Sequence, residues 1–209
     1  MHDLYTRSLT GLVLIIACSL LYLYTSITTM TALLIIVLSY ILIIEYPSLY
    51  KPTCVTSYLA LSLIIVGGGS LIYLNKAHHS VFALSFIVAM LADMGGYFFG
   101  KLFGKHHIAP TISPKKTWEG FIGSCIIATL GMYIYTSFFN TPLEQIDIIM
   151  RSFIIGCTSA IAGLLGDLCI SQLKRNAGVK DTGTLLPGHG GLLDRMDSVL
   201  AISLLLFLL

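Results

Sequence analysis

Six apolar runs, each long enough or nearly long enough to cross a bilayer, leave this chain few ways to fold. They lie at about 8–24, 28–46, 56–74, 81–100, 119–139 and 148–170, and a shorter apolar tail follows at about 195–209. In lipid, backbone N–H and C=O groups must be satisfied within the segment, so runs of this kind become helices. The expected fold is all-α: a polytopic integral membrane helix bundle of about seven transmembrane helices. Only 11% of the 209 residues are charged and 56% are hydrophobic, which excludes an ordinary soluble domain. The five cysteines lie mostly inside apolar runs, with no spacing for zinc or a disulfide framework, and read as packing residues. No cleavage site follows the first apolar run, so it reads as a retained helix.

The charges between the runs have an order. With the N-terminus cytoplasmic, that side carries Arg7, Lys51, Lys101, Lys105, Lys115, Lys116, Lys174, Arg175, Lys180 and Arg195. The far side carries only Lys76 and Arg151. This bias predicts a cytoplasmic N-terminus and puts both long polar loops, 101–118 and 171–194, on the cytoplasmic face. No linker divides the chain, which reads as one membrane domain over 1–209. Within it, 1–80 forms the N-terminal helices and 81–209 the catalytic part.

The stretch from Asp167 to Ser198 is unlike the rest. Eight of the chain's twenty-two Lys, Arg, Asp and Glu side chains fall there, four acidic and four basic, with five glycines among them. Charges kept beside membrane spans mark function. Asp167, Ser171 and Lys174 share a helix face at i, i+4, i+7, and Asp194 and Asp197 share another at i, i+3. If these helix ends converge, three carboxylates meet among Lys174, Arg175, Lys180 and Arg195. Hard oxygen ligands beside cations suit Mg²⁺ held together with polyphosphate. The run Pro187-Gly188-His189-Gly190-Gly191 lets backbone amides approach an oxyanion.

Two upstream features add to this. Asp93 sits inside an apolar run, where a carboxylate costs about 2.5–3.5 kcal/mol on insertion scales; it reads either as a structural helix–helix contact or as a site carboxylate. Ser113, Lys115, Lys116 and Thr117 precede the helix opening at Trp118, a place that favours anions. The same lysines also suit lipid headgroups at a membrane surface. His106 and His107 are adjacent and read as interfacial. The glycines at 67–69 read as helix-packing positions.

These residues resemble the signature of the phosphatidate cytidylyltransferases, also called CDP-diacylglycerol synthases. The similarity runs through Ser171-x-x-Lys174-Arg175, Lys180-Asp181, Pro187-Gly188-His189-Gly190-Gly191 and Asp194-Arg195-x-Asp197-Ser198. Upstream it includes Asp93-x-Gly95-x-Tyr97, Phe99-Gly100-Lys101, Phe103-Gly104-Lys105 and Ser113-Pro114-x-Lys116-Thr117-Trp118-Glu119-Gly120. It covers about residues 90–200. The chain departs from the pattern at Ile170, where bacterial members carry an acidic residue, and it is shorter at the N-terminus than many members.

The resemblance implies transfer of a cytidylyl group from CTP to phosphatidic acid, giving CDP-diacylglycerol and pyrophosphate, in phospholipid biosynthesis. It implies catalytic roles for Asp167, Lys174, Arg175, Lys180, Asp181, Asp194, Arg195 and Asp197. Substrate contacts would come from Ser113, Lys115, Lys116, Thr117, Ser171 and His189. Asp167, Asp194 and Asp197 are the expected ligands of Mg²⁺, with a second cation allowed by two-metal logic. The partners expected are CTP, phosphatidic acid in the membrane and a second copy of the chain, with no nucleic acid. The expected location is a bacterial inner membrane with the site facing the cytoplasm. A transporter of an anionic solute and a lipid kinase are the alternatives. Against a transporter, the charges gather on one face and no inverted repeat is visible.

Overall fold

The computed structural model describes residues 24–138, 145–185 and 190–209. The predicted helix at 8–24, Arg7, most of the acidic far-side loop and His189 lie outside these residues. Among the described residues the chain forms six long helices and one small hairpin. Helix α1 spans Ile27–Leu49, α2 Val55–Ala77, α3 His79–Phe103, α4 Trp118–Phe138, α5 Gln145–Ala177 and α6 Leu193–Leu208. Five of them are long and apolar enough to cross a membrane. The protein is a helical membrane protein, and most helix faces keep large apolar side chains exposed, as lipid contact requires.

The apolar runs locate the helices to within a few residues, except at one end. Helix α5 does not stop near residue 170 but continues two turns to Ala177, carrying Ser171, Lys174 and Arg175 on its last turns. The expected loop 101–118 is partly ordered as well. Strands β1 (His107–Ala109) and β2 (Ser113–Thr117) pair antiparallel, so the all-α expectation misses a small hairpin. Thr117 then caps α4: its Oγ1 accepts the Gly120 N–H at 3.2 Å.

Helices α3, α4, α5 and α6 pack in sequence, and α2 closes the bundle against α6 with α1 alongside. The main core gathers Leu38, Ile41, Ile64, Leu71, Leu200 and Ile202 from α1, α2 and α6. Ile170, the residue that departs from the family pattern, is fully buried in this core. Helix α3 meets α4 through glycines: a Cβ on Gly95 would lie 2.4 Å from the Gly123 carbonyl oxygen, and one on Gly120 would lie 2.8 Å from that of Gly96. Backbones this close leave no room for a side chain. Gly95→Val is therefore expected to cost at least about 1–3 kcal/mol through overpacking. Gly69→Ala, with nothing within 4 Å, serves as the contrast. Thermal unfolding in detergent separates the two, and equal midpoints would refute the close packing.

Contacts between chain ends place the polar segments together. Arg175 Nε donates to the Ile112 carbonyl in the hairpin turn at 3.1 Å. Asn176 reaches Thr56 at the start of α2, at 2.7 Å, and accepts from Lys51 through its carbonyl. The α1–α2 turn, the hairpin and the segment after α5 thus share one end of the bundle. That end carries nine of the ten basic residues assigned to one side by the charge pattern; the tenth, Arg7, lies outside the described residues.

Candidate active site

A cavity of about 320 Å³ opens at this end between α3, α4, α5, α6 and β2. Charged side chains line it: Asp93, Lys115, Lys116, Asp167, Asp194, Arg195 and Asp197. The rest of the wall is largely apolar and mixes small residues, among them Ala89, Ala92 and Gly163, with Phe121, Leu164 and Ile202. The elements explain the convergence. Asp93 lies two and a half turns before the end of α3. Asp167 lies on the part of α5 still inside the bundle, and Asp197 lies in the second turn of α6. Strand β2 brings Lys116 over all three.

Lys116 and Asp167 form an ion pair, Nζ to Oδ2 at 2.5 Å. Ser171 Oγ donates to the other Asp167 oxygen at 3.1 Å, as their i, i+4 spacing predicts. Burial alone would lower the Lys116 pKa. Asp167 first, then Asp93 and Asp197, outweigh that and hold it above the ordinary lysine value. A raised value means the ammonium persists through neutral pH, and its pairing is lost only as alkaline pH passes the folded-state pKa. Asp197 is buried at 8% exposure and accepts the Ser198 N–H at 2.7 Å.

The second pair is Lys174 to Asp194, Nζ to Oδ1 at 2.6 Å, and both side chains are largely buried. The other Asp194 oxygen accepts from Thr182 N at 2.8 Å and Gly191 N at 3.1 Å, and it lies 3.0 Å from Thr182 Oγ1. Asp194 therefore knots α5, α6 and the segment between them. The face shared by Asp167, Ser171 and Lys174 divides here. The first two serve the cavity, while Lys174 turns to Asp194.

Other expected residues are spread around this centre. Arg175 bridges the hairpin and the post-helix segment, donating to Ile112 and Val179 carbonyls. Lys180 and Asp181 are exposed, and Asp181 lies against Gly190, whose φ of +83° only glycine adopts readily. Ser113 begins β2 opposite Ala109, away from the cavity wall. Thr117 lines the cavity while its hydroxyl caps α4. His189 lies outside the described residues.

Three residues were given no role from the sequence, although Glu119 stands in the family pattern. Glu119 accepts from His106 Nδ1 at 2.6 Å and from the Lys105 and His106 backbone, which pins the hairpin's base to α4. Thr182 is buried between two carboxylates. Glu45 ends a π-helical turn of α1 and accepts from the Leu192 and Leu193 N–H groups at 2.7 and 2.8 Å. The available signal for Glu45 was an acid inside the apolar run at 28–46.

A cavity lined by charged and apolar side chains, many of them from the spaced signature, invites comparison with known families. A profile of the cytidylyltransferase family matches residues 2–209. The chain belongs to the cytidylyltransferase family. Among its curated relatives, the phosphatidate cytidylyltransferase of Haemophilus influenzae is 43% identical over 131 residues, 62% of this chain and 46% of that protein. The phosphatidate cytidylyltransferase of Mycobacterium tuberculosis is 43% identical over 133 residues, 64% of this chain and 39% of that protein. That of Staphylococcus saprophyticus is 46% identical over 135 residues, 63% and 48%. The matched part thus spans about half or less of each relative's length. Family membership agrees with the motif resemblance, and neither a transporter nor a lipid kinase is favoured by it.

Proposed function

We propose that this protein is a phosphatidate cytidylyltransferase, joining CTP and phosphatidic acid to form CDP-diacylglycerol and pyrophosphate. The observation that carries this reading is one cavity whose wall joins four acids and three bases to apolar side chains. A lipid phosphate at a membrane surface and a soluble polyphosphate need such a boundary. The names of the relatives support the same substrates.

A phosphatidate oxygen attacks the α-phosphorus of CTP in line. The new P–O bond forms as the α–β anhydride bond breaks, and pyrophosphate leaves. The nucleophile is already ionised, so no side chain need remove a proton. The work of the protein is positioning and neutralisation. Lys116, fixed by Asp167, and Arg195 and Lys115 face the phosphates across the cavity. Lys174 and Asp194, locked together, hold the α5–α6 connection that presents Arg195. Arg175 and Ser171 support this frame, Thr117 shapes the cavity wall, and Ser113, Lys180, Asp181 and His189 would meet the nucleotide from outside it.

Among the described residues no three His, Cys, Asp or Glu side chains converge as a ready cation cage. Mg²⁺ does not need one, since it takes one or two carboxylates with phosphate oxygens and water. Asp167, Asp197 and Asp93 line the same cavity, which fits a cation held among them. Asp194 is met by Lys174 Nζ, Thr182 N, Thr182 Oγ1 and Gly191 N, whereas Asp167 is met by Lys116 and Ser171, so Asp194 is the more engaged of the two and acts as a positioning residue. Bound Mg²⁺ would neutralise phosphate charge, and a second cation would share that role.

The site would face the cytoplasm of a bacterial inner membrane, in keeping with the positive charge at its end of the bundle, and a homodimer is the expected assembly. Product analysis tests the reaction. With phosphatidic acid, Mg²⁺ and CTP labelled at the α or γ phosphate, α label is expected in lipid and γ label in pyrophosphate. Label from γ in lipid, or from neither position, would overturn the proposal.

A further inference from the structure

We propose that Glu45, on the N-terminal helix α1, is a positioning residue for the active site; this rests on the reaction proposed above. Its carboxylate is 2% exposed in a helix otherwise rich in Ile and Leu. Such a charge needs several donors, and the donors it finds belong to the α5–α6 connection. Oε1 accepts from Leu192 N at 2.7 Å and Oε2 from Leu193 N at 2.8 Å. These amides open α6, where a negative charge is favoured by the helix dipole. Thr182 Oγ1 lies 3.3 Å from Glu45 Oε2 and 3.0 Å from Asp194 Oδ2, and so joins the two carboxylates. The packing is close: a Cβ on Gly191 would lie 2.7 Å from Glu45 Oε1.

The consequence is geometric. Glu45 fixes where α6 begins, and the first two turns of α6 carry Asp194, Arg195 and Asp197. A π-helical turn at Ile41–Glu45 shifts the register of α1 just where this carboxylate must reach the connection. The N-terminal helices therefore take part in the site rather than only anchoring it.

Two readouts test this in the full chain, reconstituted in lipid. In Glu45→Gln the side-chain NH₂ must face one of the two amides, so the clamp opens. Hydrogen exchange at residues 190–193 is expected to quicken about tenfold or more, with the hairpin at 107–117 unchanged. Turnover per folded protein is expected to fall on the order of 10–100-fold, with KM for CTP altered far less. Thr182→Val is expected to act through the same clamp, so the double variant loses less than the product of the two single losses. If Glu45→Gln does not fold, Glu45→Asp and Thr182→Val read the same effects with the carboxylate kept. Unchanged exchange at 190–193, or turnover within twofold of wild type, would overturn the inference. Wild-type protein that transfers no α label would instead defeat the reaction reading, and the exchange measurement would still decide the role of Glu45.

Discussion

Asp167→Asn is expected to lower turnover by about 10²–10³-fold while the bundle stays folded. Asp167 is where the site's charges meet. It holds the Lys116 ammonium at 2.5 Å, accepts from Ser171, and faces Asp93 and Asp197. Asparagine keeps the shape and the Ser171 bond but removes the charge. Lys116 then loses the partner that fixes its ammonium, and the proposed cation loses one of its two best ligands. Stability should change little, because the Lys116–Asp167 pair is partly exposed, at 33% and 20%, and the amide keeps the Ser171 hydrogen bond. The measurement is the rate of α-label transfer into lipid, read beside the thermal midpoint of the same preparation. Turnover within tenfold of wild type, in folded protein, would remove Asp167 from the centre of the mechanism.

Lys174→Met is expected to act on stability first, by about 3–5 kcal/mol. Its ammonium and the Asp194 carboxylate have side-chain exposures of 12% and 7%. Removing the cation leaves a carboxylate buried without its ionic partner, held only by Thr182 and Gly191. Its desolvation is then uncompensated, and the α5–α6 connection should loosen with it. Adding Asp194→Asn should recover part of the loss, because the amide oxygen can still accept from the two backbone N–H groups. Unfolding of both variants in detergent checks this. A double variant less stable than Lys174→Met would show that the Asp194 charge has another role.

The helices were legible because each apolar run must satisfy its backbone within itself. Their ends were less so where the apolar signal faded. Helix α5 runs on past Ile170 because Ile170 and Leu173 bury into the core while Ser171 and Lys174 find partners inside the bundle. A hydropathy window cannot see those partners. The hairpin was hidden because β1 is only three residues long and β2 carries Pro and Lys rather than alternating apolar residues; Glu119 and Arg175 hold it from outside. Spacing along a helix correctly paired Asp167 with Ser171. It could not say that Lys174, on the same face, would reach across twenty residues to Asp194.

Helical membrane architecture, the gathering of charge in Asp167–Ser198 and the family itself are determined by the sequence. Hydropathy and short-range spacing are local properties, and a spaced signature survives without knowledge of contacts. The tertiary structure alone decided which charges are spent on one another. It put all four of Asp93, Asp167, Asp194 and Asp197 on the cavity wall, and among them Asp194 also ties helices together through Lys174, Thr182 and Gly191. It also brought Glu45 from 147 residues away onto the start of α6. A buried carboxylate takes whatever donors the packed bundle leaves unpaired, and only the closed fold brings those donors within reach.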